Sequence, residues 1–312
     1  MSSFFTTLNV VLPICLMVEL GVLLRAGRIL DDGCCAALNG TAFNALLPCM
    51  IFTNIYTGAA QEAGYGKLLL FAGLGFIAAY LFLMLVVPRF EKTPAKRGVI
   101  VQGCTHNSFL IIGMGLAANL YPGMDYAVMG VLAALAIPIN HITSVLALQI
   151  FQDRKYRLRE LFLQLAKNPL LLASLLAIFA NAVRLPLPKV LLSAMTTLGG
   201  AAVPICLLAL GGGFRFSSLS NDRWQVAFAC VVKLLLLPLC FLPLAVLLGF
   251  QGLPLLSLLV FFGTPTAPVT YTLSASMGGD AGLTSRVVLF SNCFAAITLF
   301  GFIDVLLSIG FL

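Results

Sequence analysis

Charge is scarce in this sequence: Asp, Glu, Lys and Arg together make up 9% of its 312 residues, against about 25% in soluble domains. A water-solvated fold of this size is thereby excluded. Histidine occurs twice and tryptophan once, so chemistry built on clustered imidazoles has little to draw on. There is no GxxxxGK[ST] phosphate loop, no GxSxG elbow, no HExxH helix and no carboxylate pair suited to an intramembrane protease. These absences argue against an enzyme and against direct drive by ATP. The nine cysteines form no CxxC and no His/Cys cluster. Most lie in apolar runs, where cysteine behaves as a small hydrophobe, so neither a metal nor another cofactor is expected.

What is abundant is apolar: 61% of residues are hydrophobic and the mean hydropathy is +1.06. A crossing needs roughly 20 apolar residues, and the pattern predicts ten spans between residues 4 and 311 of an all-α integral membrane protein. The first apolar stretch runs to Leu24 without a cleavage site and reads as a retained helix. Fourteen of the 18 basic residues fall on one side of these spans, in or beside loops 26–35, 89–97, 152–168, 214–222 and 277–285. The other side has only Lys67, Arg184 and Lys189, and Lys233 lies within a span. By the positive-inside rule the basic side is cytoplasmic, which puts both termini outside in a plasma or inner membrane. The net charge of +7 follows loops rather than one helix face, so the expected partner is the lipid bilayer and not nucleic acid.

The two halves of the chain resemble each other. Pro13 and Pro169, like Pro48 and Pro204, stand 156 positions apart, and the same offset puts Ser108 on Thr264 and Gly123 on Gly279. This suggests a duplication into 1–151 and 169–312, joined by a basic linker at 152–168. Five spans per half is an odd number, so the second repeat is inverted relative to the first, as in secondary transporters.

Two spans are interrupted by polar and helix-breaking residues. One carries Thr105, His106, Asn107, Ser108, Gly113 and Gly115; the other carries Gly263, Thr264, Pro265, Thr266, Pro268 and Thr270. Proline removes a backbone donor, and unwinding exposes half-helix N-termini that suit a carboxylate. Irregular backbone at that depth is tolerated only around a protein-lined cavity. The plainer reading is close packing by small residues. Ser291 and Asn292 are polar at a comparable depth and are expected on the same cavity. Lys233 lies near the midplane, where it either attracts an anion or pairs with Asp304, Glu19 or a helix C-terminus. Glu19, Asp304 and His141 are candidates for coupling to protons or sodium, and His106 titrates in the physiological range when unperturbed.

The stretch PTAPVTYTLSASMGGD, followed by Ser291-Asn292 and AAIT at 295–298, resembles the ninth and tenth helices of the auxin efflux carrier family. That family includes bacterial malate and malonate permeases and plant PIN proteins. LPICLMVELGVLLRAGRILD and LNGTAFNALLPCMIF are similar to its first two helices, NPLLLASLLAIFAN and AAVPICLLALGGGF to its sixth and seventh. The resemblance implies two inverted five-helix repeats with helices four and nine broken and crossing at the substrate. Helices 1, 2, 6 and 7 would form a scaffold, through which members often dimerise, and helices 3–5 and 8–10 a moving unit. The crossings map onto His106, Asn107, Ser108, Phe109, Gly113, Met114 and Gly115, and onto Thr264, Pro265, Thr266, Ala267 and Pro268. Many bacterial members have Arg-Ser-Asn-Phe and Gly-x-Pro where this chain has His106-Asn107-Ser108-Phe109 and Gly113-Met114-Gly115. The expected activity is secondary transport of small organic anions, mono- or dicarboxylates, by an elevator mechanism. The competing readings are a sodium-coupled symporter of the bile acid type, a channel, and a membrane sensor that binds a ligand without moving it.

Overall fold

The computed structural model describes residues 13, 16–57, 65–109, 113, 116–117, 120–121, 127–151, 169–213 and 222–312. Gly115, the linker 152–168 and all but Asp222 of loop 214–222 lie outside them. The regular structure described is helical: α1 (16–26), α2 (Asp32–Thr57), α3 (Gly66–Phe90), α4 (Pro94–Thr105), α5 (Ala127–Ile150), α6 (Pro169–Ala182), α7 (Lys189–Gly213), α8 (Arg223–Leu247), α9 (Gly252–Gly263), α10 (Val269–Met277) and α11 (Ala281–Ser308). Among the described residues six helices are long and apolar enough to cross a membrane: α2, α3, α5, α7, α8 and α11. The chain is thus an all-helical, multi-pass membrane protein. α4, α9 and α10, with 12, 12 and 9 residues, are each too short to cross alone.

Local chemistry sets the helix ends. Asp31 and Asp280 cap α2 and α11, accepting hydrogen bonds from the Cys34 N–H at 2.6 Å and the Leu283 N–H at 2.8 Å. Pro94 opens α4, where no intrahelical donor is needed. Gly278 closes α10 with φ of 76°, a left-handed conformation that suits glycine. Two helices contain a π turn, Ala42–Leu46 in α2 and Val232–Leu236 in α8. Each ends two residues before a proline, Pro48 or Pro238, whose ring would otherwise strike the carbonyl four residues back. In α8 the widened turn places Lys233 in the protein interior, 1% exposed.

Many outward side chains are apolar, among them Leu70, Leu74, Leu81 and Leu85 of α3 and Leu175 and Phe179 of α6. Lipid is as apolar as leucine, so helix association here depends on close packing. At Gly98 of α4 a Cβ would stand 2.7 Å from the Ala147 carbonyl oxygen of α5, and at Gly199 of α7 it would stand 2.7 Å from Met50 Cα of α2. α2 packs on α6 and α7, with Asn181 Nδ2 donating to the Ile55 carbonyl at 3.1 Å. α4, α5, α8, α9, α10 and α11 form a second packed group. Between the two groups, α10 meets α2 through Thr272 Oγ1, which donates to Asn39 Oδ1 at 2.9 Å.

Candidate functional site

The short helices meet end to end. α4 stops at Thr105 and His106 turns extended, with φ −69° and ψ 114°. α9 stops at Gly263 and Thr264 does the same, with φ −72° and ψ 152°. The second break follows from Pro265, which pushes the preceding residue out of the helical region. The first has no proline at 106–108 and is held by the other strand instead. Asn107 and Thr266 form an antiparallel bridge, and the Ser108 N–H donates to the Pro265 carbonyl at 3.1 Å.

Each limb caps the other's helix. The Thr266 hydroxyl donates to the Gly103 carbonyl in the last turn of α4 at 2.7 Å. Asn107 Nδ2 donates to the Phe261 carbonyl in the last turn of α9 at 3.0 Å. Lys233 Nζ donates to the Thr105 carbonyl at 3.2 Å, putting a cation donor at the negative end of a helix dipole. Carbonyls that a helix end leaves without partners are thereby satisfied. Asn292 Nδ2 donates to the Thr266 carbonyl at 3.2 Å, and Ser291 Oγ accepts from the Thr266 N–H at 3.2 Å.

Beside the crossing lies a cavity of about 360 Å³, bounded by α2, α5, α7, the crossing strands and the start of α10. Its polar walls are His106, Asn107, Ser108, Asn140 and His141; Leu47, Met50, Phe109, Ile137, Val203 and Val269 supply apolar wall. Among the described residues no Asp, Glu, Lys or Arg lines it. Asn140 Nδ2 donates to Asn107 Oδ1 at 2.9 Å, and His106 Nδ1 stands 2.8 Å from Ser144 Oγ. His141 Nδ1 stands 2.7 Å from the Ile137 carbonyl, and the two imidazoles meet edge to face with centroids 5.1 Å apart. At the start of α10 the Thr270 and Tyr271 N–H groups donate to the Ala267 and Pro268 carbonyls at 3.1 and 3.0 Å, and the positive end of the helix dipole faces the wall there.

The sequence-derived candidates therefore separate. His106, Asn107, Ser108, Pro268 and His141 line the cavity. Thr264, Pro265, Thr266, Ser291, Asn292 and Lys233 do not; they belong to the crossing or its support. Gly113 packs against α9, where a Cβ would stand 2.6 Å from Val260 Cγ1. Glu19 and Asp304 are exposed on α1 and α11, away from the cavity. Asn140 lines the cavity although it was no candidate; its signal was a polar residue two after Pro138 in an apolar span. Among the described residues no group of three His, Cys, Asp or Glu side chains could hold a metal ion.

Charge collects at the far end of α4. Asp222 binds Lys96 Nζ at 2.7 Å and pairs with Arg286 of α11. The bond to Asp222 raises the Lys96 pKa above its ordinary value. Glu91 accepts from Gln225 Nε2 at 2.9 Å and from the Thr93 N–H at 2.7 Å. Burial alone would raise its carboxyl, but these hydrogen bonds hold it below the ordinary range.

Known proteins share this sequence pattern. An uncharacterized transporter from Methanothermobacter thermautotrophicus is 22% identical over 308 residues, covering 95% of this chain and 97% of the relative. Residues 6–303 match the family described as membrane transport protein. With the match running through both crossing strands and nearly end to end, the chain belongs to this family of membrane transporters, the auxin efflux carriers.

Proposed function

We propose that this protein is a secondary transporter of small organic anions, moving mono- or dicarboxylates by alternating access at the crossing. The observation that carries the reading is the cavity itself. It is bounded by two interrupted helices and lies between the α2/α7 pair and the group containing α4, α5 and α10. The carboxylate sits at the positive end of the α10 dipole, beside the side chains of His106, Asn107 and Ser108. Asp32 and Lys189 begin corresponding helices 157 positions apart, as do Gly66 and Arg223, which supports two inverted repeats with ten crossings. α1, α2, α6 and α7 serve as scaffold, while α3–α5 and α8–α11 move as an elevator. The basic loops face the cytoplasm.

The test is uptake of labelled malate, malonate, succinate, lactate and indole acetate into proteoliposomes, with and without sodium and proton gradients. Saturable, competed uptake of one class supports the carrier, and dependence on sodium points to the bile acid symporter type. Fluxes far above carrier rates point to a channel. If nothing moves although one of these acids raises the melting temperature, the protein is a sensor.

A further inference from the structure

Three side-chain atoms of described residues lining the cavity are buried without a partner: Asn140 Oδ1, His141 Nε2 and Ser108 Oγ. The Phe261 carbonyl can only accept, so Asn107 gives it Nδ2 and turns Oδ1 to Asn140. Asn140 therefore gives one N–H of Nδ2 to Asn107 and keeps Oδ1, which is buried with no partner. The next residue repeats the logic with an imidazole. The Ile137 carbonyl takes the proton on His141 Nδ1, so in the neutral ring Nε2 is a bare acceptor, and it too is buried with no partner. Ser108 Oγ, equally unpartnered, can donate or accept. A carboxylate has only acceptors to offer. Among the described residues the cavity supplies no ammonium or guanidinium to receive it; Lys233 is turned to the Thr105 carbonyl.

We propose that the site binds a monocarboxylate together with one proton, the proton lying between a carboxylate oxygen and His141 Nε2. The proton comes from water on the loading side, forms an O–H or N–H bond at this pair, and leaves with the carboxylate on the other side. The pair carries no net charge across. Ser108 Oγ donates to the second carboxylate oxygen. Asn140 Oδ1 accepts from a hydroxyl or N–H on the substrate body, whose remainder meets the apolar walls. This favours acids of the lactate or indole acetate kind over the malonate dianion, which has neither donor nor a fixed countercharge. Among the described residues, the titratable and charged groups around His141 are His106 from the crossing, Cys206 across the cavity on α7, and Lys233 behind the crossing. α5 holds no other titratable residue, and α2 faces the cavity with Leu47 and Met50.

The inference rests on the transporter reading, and calorimetry separates the two. Lactate and indole acetate are titrated into the purified full-length protein at pH 7.5 in two buffers of different ionisation enthalpy. The expected result is uptake of about one proton per acid bound, absent in His141→Gln. In proteoliposomes, uptake then follows a pH gradient and generates no membrane potential. Ser108→Ala is expected to bind about tenfold more weakly, the loss of one hydrogen bond, with the proton count unchanged. Binding by the wild-type protein without proton uptake, or uptake that generates a potential, overturns the co-binding and leaves the transporter standing. If no carboxylate binds or moves, the transporter reading itself falls, and this inference with it.

Discussion

The two limbs of the crossing are built alike and used differently. In the 264–268 limb every threonine turns back on protein backbone: Thr264 Oγ1 to the Val260 carbonyl at 2.7 Å, Thr266 Oγ1 to that of Gly103. What this limb shows the cavity is Ala267, Pro268 and the first turn of α10. In the 106–108 limb all three residues reach the cavity wall, and Asn107 also holds the crossing. One limb fixes the backbone and the other presents side chains. A polar residue in an apolar span is thus no measure of contact with a ligand, because the broken helix consumes polar groups for its own ends.

The sharpest way to break this division is Asn107→Ala. It removes the donor to Phe261 and leaves Asn140 Nδ2 without an acceptor, so two buried groups lose partners at about 1–3 kcal/mol each. Uptake is expected to fall by at least 100-fold, roughly 2.7 kcal/mol, with a lower melting temperature. Thr266→Val keeps the shape and removes only the bond to Gly103. The expected cost is about 1–3 kcal/mol of stability, read as a thermal shift, with KM unchanged for the protein that remains folded. A raised KM at unchanged stability would put Thr266 on the ligand instead.

Lys233 sharpens the comparison from behind. Lys233→Met is expected to lower stability by about 1.5–3 kcal/mol, the range for a hydrogen bond from a charged group, while Lys233→Gln recovers most of it by donating to the same carbonyl. If Gln fails and only Arg restores uptake, the charge matters to the anion rather than to the helix end. The smallest effect concerns the far end of α4. Glu91 titrates below its ordinary value of 4.5, so its contribution to stability is present above about pH 4.5 and is lost as pH falls through the folded value. Lys96, raised above 10.5, contributes below that value and loses its contribution as pH rises through the folded one. The melting temperature should therefore drop at both extremes, and Glu91→Gln should flatten the acid limb alone.

Much of this was legible in the sequence, for reasons of range. The break at 264 follows from Pro265, which acts on the residue before it. The polar cluster at 105–108 marked the other break without a proline. What could not be read were partners distant in the chain. Lys233 was open between an anion and a helix end, and the answer lies 128 positions away at Thr105. Thr266 looked like a ligand residue because its acceptor, Gly103, is 163 positions away. Asn140 escaped notice because its role depends on how Asn107 is already committed. Composition identifies groups that must be satisfied at depth; which of them are left over depends on tertiary pairing.

The mutual capping also dictates an order of assembly. As the chain emerges from the ribosome, α4 enters the bilayer long before Thr266 and Lys233 exist, so its Gly103 and Thr105 carbonyls have no acceptor-matched donors from the rest of the chain. Asn107 likewise waits for Phe261. The N-terminal half is therefore held in an incomplete state, its interrupted helix either continuous or hydrated, until the C-terminal half is inserted beside it. The crossing is therefore completed only once both halves lie side by side in the membrane.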